Sequence, residues 1–280
     1  MAERGVLLYA SAELAATKDP AKAYETIILE WDAKEQRYIG QSEGIDARDM
    51  AKSQFAVAYM KMIDGSYIFG TKQGEEQVIE YSPLIYCTQY KDHAQVGTLC
   101  RAMMHYGAAA QVVQYGMTTG LMNEGLEDVP FNAAVLGESV LSANTAVSNG
   151  LRLRSVTMDL KGAISYVVKY SVEDSAIDGK KLYAEYTLLG KTESVELVAG
   201  DDGRLWAVVN GVPAKDLGAT LKIKAYWVDE NGERMYSGEL VYSGYEYIRS
   251  ALNTASYSDS VKDLARAMAM YIHYADAYGN

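Results

Sequence analysis

The sequence predicts an α+β protein: an antiparallel β-sheet or sandwich followed by a C-terminal α-helical hairpin, the whole unit occurring twice. Three observations predict it. The chain repeats itself, short apolar segments separated by turn residues lead each copy, and a pair of amphipathic helical segments closes each copy. The repeat is read at an offset of 167 residues, with seven identities over the 34 positions from Arg37 to Gly70. Arg37 meets Arg204, Gly44 meets Gly211, Asp49 meets Asp216, Ala58-Tyr59 meets Ala225-Tyr226 and Gly65 meets Gly232. Further on, Tyr81-Ser82 meets Tyr242-Ser243, and Leu99-Cys-Arg-Ala-Met103 meets Leu264-Ala-Arg-Ala-Met268. This divides the chain into module one (1–116), a connector (117–149) and module two (150–280). The connector has four acidic residues and no Lys or Arg, with a short helix expected within Asn132–Ala143. Module two has 54 residues ahead of its matched block and module one only 36, so module one is expected to lack leading strands and to leave a sheet edge open.

Strands come first in each copy. Gly5–Ala10, Thr26–Trp31 and Phe55–Ile63 are rich in Val, Ile, Leu, Tyr and Phe, as are Ala163–Tyr170, Leu182–Leu189, Arg204–Asn210 and Leu221–Val228. Asp64-Gly65 and Asn231-Gly232 supply hairpin turns, because Gly accepts the positive φ they require. At the fixed offset Phe55 and Val57 fall opposite Lys222 and Lys224. Either the register slips by one residue, which exchanges the two faces, or both faces are partly covered.

The helical pairs follow. Ser82 can cap a helix that has Pro83 at its first turn, and Ser243 with Glu246 forms a capping-box pattern. Leu99, Ala102, Met103, Tyr106, Ala110 and Val113 form one amphipathic stripe; Leu264, Ala267, Met268, Tyr271, Ala275 and Tyr278 form the other.

Composition narrows the function. The chain of 280 residues is 49% hydrophobic and 22% charged, enough to build cores, and carries a net charge of −11, which argues against a nucleic-acid partner. No apolar run approaches the length of a membrane span, and no signal peptide is legible at the N-terminus. With three His and two Cys, no catalytic or metal-ligating constellation is expected, and no cofactor. His93, His105 and His273 read as surface or packing residues. Asp201-Asp202-Gly203 and Asp229-Glu230-Asn231-Gly232 read as turns, since neither completes a calcium loop. Gly190-Lys191-Thr192 lacks the glycine of a phosphate loop, and Gly137-Glu138-Ser139 is no nucleophile elbow. Cys87 and Cys100 are expected on two helices of one hairpin, where they form either a disulfide or two buried thiols. The chain holds 23 Tyr against three Phe and three Trp. Tyr that recur in both copies (Tyr59/Tyr226, Tyr81/Tyr242, Tyr86/Tyr247, Tyr106/Tyr271) are assigned to the scaffold. Tyr236, Tyr245, Tyr274 and Trp227 are the candidate binding residues, set against packing as the alternative.

Leu99-Cys-Arg-Ala-Met-Met-His-Tyr-Gly-Ala-Ala-Ala-Gln111, preceded by Tyr81-Ser-Pro-Leu-Ile-Tyr86, resembles a motif pair of large surface proteins from gut and rumen Firmicutes, "YSxxxY" followed by "LxxAMLxYGAAAQ". Gly211-Val-Pro-Ala-Lys-Asp-Leu217 resembles the "IPAKxM" of the same family, and Leu151–Tyr170 and Gly5–Leu14 resemble its opening strands. Module two departs from the pattern with Met270-Tyr-Ile-His-Tyr-Ala-Asp-Ala-Tyr278. The resemblance implies a tandem extracellular module, secreted or on the cell surface, here as an excised fragment with an added Met1 and without signal peptide or anchor. It implies a non-enzymatic adhesin that binds a host or secreted macromolecule, with immunoglobulin or mucin as candidate partners. A carbohydrate-binding module, or a passive spacer in a larger surface protein, is the alternative.

Overall fold

A computed structural model describes residues 2–42, 44–72, 75–160 and 164–279. Ala163, at the head of an expected strand, and Met1 lie outside the described residues. The protein is mixed α+β, with several antiparallel sheets and, among the described residues, five α-helices. It divides into two compact units: Met1–Ile45 with Asp49–Tyr90, and Asp46–Arg48 with Lys91–Asn280.

Unit 1 contains, in chain order, β1 (Glu3–Tyr9), α1 (Ala12–Thr17), β2 (Glu25–Ile28), β3 (Glu30–Asp32), β4 (Arg37–Ile39), β5 (Gln54–Lys61), β6 (Tyr67–Phe69), β7 (Thr71–Lys72), β8 (Glu75–Glu76), β9 (Ile79–Tyr81) and α2 (Pro83–Tyr90). Its main sheet, sheet I, runs β2-β1-β5-β6, with β9 also on β5. The expected strand Thr26–Trp31 is two strands, broken at Leu29, whose N–H donates to the Arg4 carbonyl. β3 pairs only with β4, in a separate hairpin. The six-residue α1 was not legible in the sequence; Ser11 caps it, its Oγ accepting from Leu14 N–H at 3.3 Å. α1 lies on one face of sheet I, where Leu7, Tyr9, Ala15, Val57 and Tyr59 form the core. Gly5 stands opposite Tyr59, and a Cβ there would come within 2.7 Å of the Tyr59 ring, so glycine lets that ring lie across β1.

Unit 2 contains α3 (Gly97–Tyr115), β10 (Ser142–Ala143), β11 (Leu151–Asp159), β12 (Ser165–Val172), β13 (Tyr183–Leu188), β14 (Lys191–Glu196), β15 (Val198–Ala199), β16 (Leu205–Val209), β17 (Leu221–Val228), β18 (Arg234–Tyr236), β19 (Leu240–Tyr242), α4 (Gly244–Asn253) and α5 (Asp259–Gly279). Sheet II runs β10-β19-β17-β13-β14, with β18 on β17; sheet III runs β11-β12-β16-β15. Leu221, Ile223, Ala225 and Leu240 line the inner face of sheet II, and Tyr166, Val168, Tyr170 and Ala207 that of sheet III, all of them excluded from solvent. Tyr166 meets Tyr242 edge-on with ring centroids 5.8 Å apart.

The boundary expected at residue 116 falls inside unit 2. α3 lies along α5, with Tyr106 and Tyr271 stacked at 5.6 Å, and so belongs to the same compact unit as α5. The buried residues of α5 are Leu264, Ala265, Met268, Ala269, Met270 and Ile272, a face rotated from the expected one, and Tyr278 is exposed. Residues 117–149 are fastened down rather than loose. Met122 N–H donates to the Gln111 side chain at 3.1 Å, and β10 adds an edge strand to sheet II. The expected helix at 132–143 is a single 3-10 turn, Ala133–Leu136, ended by Gly137 at φ 63°.

Ser82 caps α2 as expected, its Oγ accepting from Ile85 N–H at 3.1 Å. Ser243 and Glu246 do not form a capping box: Ser243 makes no side-chain cap bond, and Glu246 is buried elsewhere. Its carboxylate accepts from the Ser139 hydroxyl at 2.9 Å and from Val140 N–H at 3.0 Å. A buried carboxylate must be satisfied, and the residue 137–140 loop offers these donors while the helix terminus leaves it free to swing.

Strands β5 and β17 stand at the repeat offset, as do β6 and β18. Tyr81 pairs with Gln54 as Tyr242 pairs with Leu221. The register therefore does not slip. Phe55, Val57 and Tyr59 face the α1-covered side of sheet I, whereas Lys222, Lys224 and Tyr226 stand on the face of sheet II opposite Ile223 and Ala225, Lys222 exposed and Tyr226 buried among neighbouring side chains. The two sheets are covered on opposite faces.

Candidate functional site

Tyr236, Tyr245, Tyr274 and Trp227 are all half-buried, and the structure does not gather them into one surface. Tyr236 stands directly opposite Tyr226 on β17, so Trp227, next along that strand, points to the other face of sheet II. Trp227 donates its indole N–H to the Asn149 carbonyl at 2.9 Å, under the Lys180 ammonium. The Tyr245 ring lies over Gly218, where a Cβ would come at 3.0 Å. Tyr274 meets His273 edge-on at 5.0 Å. Each of these rings therefore has packing contacts within the chain.

Tyr236 nevertheless belongs to a row. Tyr183, Tyr226 and Tyr236 stand in register on β13, β17 and β18, with centroids 5.6 and 5.5 Å apart. Lys224 lies over Tyr236 at 3.8 Å and Arg234 over Tyr226 at 4.6 Å, while Glu185 pairs with both cations. Each of these rings meets a cation or another ring of the chain itself.

The histidines also fasten. His105 Nε2 lies 2.8 Å from the Glu127 carbonyl and Nδ1 lies 2.9 Å from the Asn123 amide, an arrangement that suits a neutral ring donating at Nε2 and accepting at Nδ1. It lines a cavity of about 420 Å³ among α3, α5 and residues 121–131. Cys87 and Cys100 are buried thiols. Among the described residues no group of three or more His, Cys, Asp or Glu is placed to hold a metal ion. Asp202 and Asp229, in the acidic turns, bond to their own loops. Lys169, with Trp206 and the Arg204 N–H, holds the Asp202 carboxyl down to about 2. No helix of the described residues is long and apolar enough to cross a membrane.

Among the described residues the most exposed ring pair lies in unit 1 and was not among those the sequence singled out. Trp31 on β3 and Tyr38 on β4 stand directly opposite each other, edge-to-face at 5.0 Å, and are 54% and 44% exposed. The hairpin closes over Ala33–Gln36. Asp32 Oδ1 accepts from the N–H groups of Lys34 and Glu35 at 2.8 and 3.0 Å, and Gln36 takes the left-handed conformation at φ 51°. Arg4 on β1 lies over the Tyr38 ring at 4.0 Å, which fixes that ring. Beside the pair runs a shallow groove of about 800 Å³. Ile28, Trp31 and Ile39 give it an apolar floor; Glu30, Asp32 and Gln41 give it a polar, acidic rim. The repeat carried a signal for this site: position 205, the counterpart of Tyr38, is Leu, so Tyr38 has no aromatic equivalent in the second copy.

Compared with known proteins, the sequence matches no family model and no curated protein.

Proposed function

We propose that the chain is a non-enzymatic binding module that recognises another protein through the Trp31–Tyr38 hairpin. The observation that carries this reading is two large aromatic rings held exposed, and held rigid, beside an apolar groove with a polar rim. Protein interfaces concentrate their binding energy in such anchors, Trp, Tyr and Arg above all, surrounded by a polar ring that excludes water. Arg4 and Tyr38 position Trp31 before a partner arrives, so little side-chain entropy remains to be lost on binding. The acidic rim of Glu30 and Asp32, on a chain of net charge −11, favours a partner whose contact surface is basic around an apolar pocket. We also infer that the chain carries two copies of one module; the constant offset of β5 with β17 and of β6 with β18 supports that reading. The resemblance to surface proteins of gut Firmicutes supports a location outside the cell and makes immunoglobulin and mucin protein the first probes.

A second reading has one observation in its favour. Trp31 beside Glu30, Asp32 and Gln41 is also how a sugar ring is stacked and hydrogen-bonded. The test is binding of the full chain to immunoglobulin, to mucin protein and to a glycan array, alone and as Trp31→Ala and Tyr38→Ala. On the protein reading, Trp31→Ala weakens capture of a protein at least about 30-fold with an unchanged circular-dichroism spectrum. Capture confined to glycans would select the second reading, and binding that ignores both substitutions would move the site elsewhere. No binding to any of these leaves the passive spacer.

A further inference from the structure

The cavity that His105 lines lies wholly within unit 2. Ala102, His105, Ala109 and Val112 of α3 face it, at spacings of three, four and three that keep them on one side of the helix. Asp263, Arg266, Ala267 and Met270 face it from α5, and residues 121–131 form the third wall. Alanine at 102, 109 and 267 leaves room that longer side chains would fill, against the close packing usual between helices. Polar bonds fasten the third wall to α3. His105 holds the Asn123 amide and the Glu127 carbonyl, and the Gln111 side chain holds Met122 N–H. The space of about 420 Å³ is therefore built into the unit, and it falls within the range of about 300–1,000 Å³ usual for small-molecule sites.

We propose that this cavity binds a small aromatic amine, its ring against Phe131 and Met270 and its ammonium against Asp128. Enclosure on three sides suits a small molecule better than a protein surface. Leu121, Val129, Phe131 and Met270 supply apolar walls, where a phenyl group gains ring–ring contact with Phe131 and sulfur–ring contact with Met270. Three ionised groups set the charge. Arg266 and Asp263 neutralise each other, with Nη1 and Oδ1 2.6 Å apart. Asp128 makes no ion pair or hydrogen bond among the described residues, so the wall keeps one uncompensated negative charge. The net charge of −11 adds to the pull on a cation. A carboxylate ligand would instead meet Asp128 and would have to take Arg266 from Asp263.

The experiment is an NMR titration of the full chain at about pH 7 and low ionic strength. The probes are phenethylamine and hydrocinnamate, which carry an ammonium and a carboxylate on the same phenylethyl body. Saturable binding of the amine is expected, with a dissociation constant of about 1 mM or tighter, and the acid is expected to bind at least about tenfold more weakly. Asp128 is exposed, so Asp128→Asn leaves the fold alone; it is expected to weaken amine binding about fivefold. Ala109→Phe fills the cavity and is expected to abolish amine binding with an unchanged circular-dichroism spectrum. Trp31→Ala is expected to leave the amine's affinity unchanged, since the acidic groove beside Trp31 is a separate site. No saturable binding, equal binding of amine and acid, or amine binding that survives Ala109→Phe, ignores Asp128→Asn or disappears with Trp31→Ala overturns the proposal.

Discussion

Strands β5 and β17 carry the same Ala-Tyr pair at the same register and yet bury opposite faces. In unit 1 the six-residue α1 covers the Val57–Tyr59 side, and Ala58 and Met60 on the other side are exposed. In unit 2 the Ile223–Ala225 side is sealed from solvent, and the other side carries Lys222, exposed, with Tyr226 buried between Tyr183 and Tyr236. Tyr59 accordingly is a core residue whose hydroxyl donates to Glu3 at 2.6 Å, while Tyr226 sits in the aromatic row between Tyr183 and Tyr236. The difference teaches that a strand's pairing and its polarity are separate properties. Pairing is set by hydrogen bonds and turns; polarity is set by whichever element arrives to cover a face.

The largest test of that comparison exchanges residues at equivalent positions. Val57→Lys gives unit 1 the lysine that unit 2 carries at 224, but into a fully buried site. It is expected to destabilise by at least about 3 kcal/mol, since the ammonium must be desolvated or neutralised. The reciprocal Lys224→Val removes an outward charge and is expected to stay within about 1 kcal/mol. Thermal or urea denaturation of both variants decides it; equal losses would mean that the faces are covered alike.

A titration makes a smaller distinction. In the sandwich of unit 2, burial pushes the phenols of Tyr166, Tyr170 and Tyr242 above the ordinary tyrosine range. Burial does the same for Tyr59 in unit 1, helped by its hydrogen bond to Glu3. Tyr186 on β13, desolvated and bonded to Glu193, is pushed up to about 12. A phenol whose folded pKa is raised contributes stability that is complete below the unfolded value near 10 and disappears as pH rises through the folded value. Stability is therefore expected to fall above pH 10, and far-ultraviolet dichroism should be lost together with the rise in phenolate absorbance. Phenolate appearing at its ordinary pH in the folded chain would show that these rings are not buried.

The smallest effect separates the two helix starts. Ser82→Ala removes a bond that Ile85 N–H makes and is expected to cost about 1 kcal/mol. Ser243→Ala removes no side-chain cap and is expected to cost only about 0.3 kcal/mol. Matched denaturation curves check the pair, and equal costs would restore the capping box at Glu246.

The amino-acid sequence alone dictated two hairpin turns. Asp64-Gly65 and Asn231-Gly232 turn where expected, with Gly65 and Gly232 at φ 87° and 84°. Strands β5 and β17 fall where Val, Ile and Tyr concentrate, and Ser82 caps α2. These are local properties, written in neighbouring residues. It did not determine which face of β5 is inside, because Phe55, Val57 and Tyr59 alternate with Ala56, Ala58 and Met60, and both sets are apolar. It did not reveal α1, too short for a helical period to show, nor the separate β3–β4 hairpin that lifts Trp31 and Tyr38 into solvent. Nor did it show Glu246 reaching the Ser139 loop, or α3 lying along α5. Each of these depends on residues far apart in the chain, and only the tertiary structure decides which of several apolar or polar partners a side chain meets.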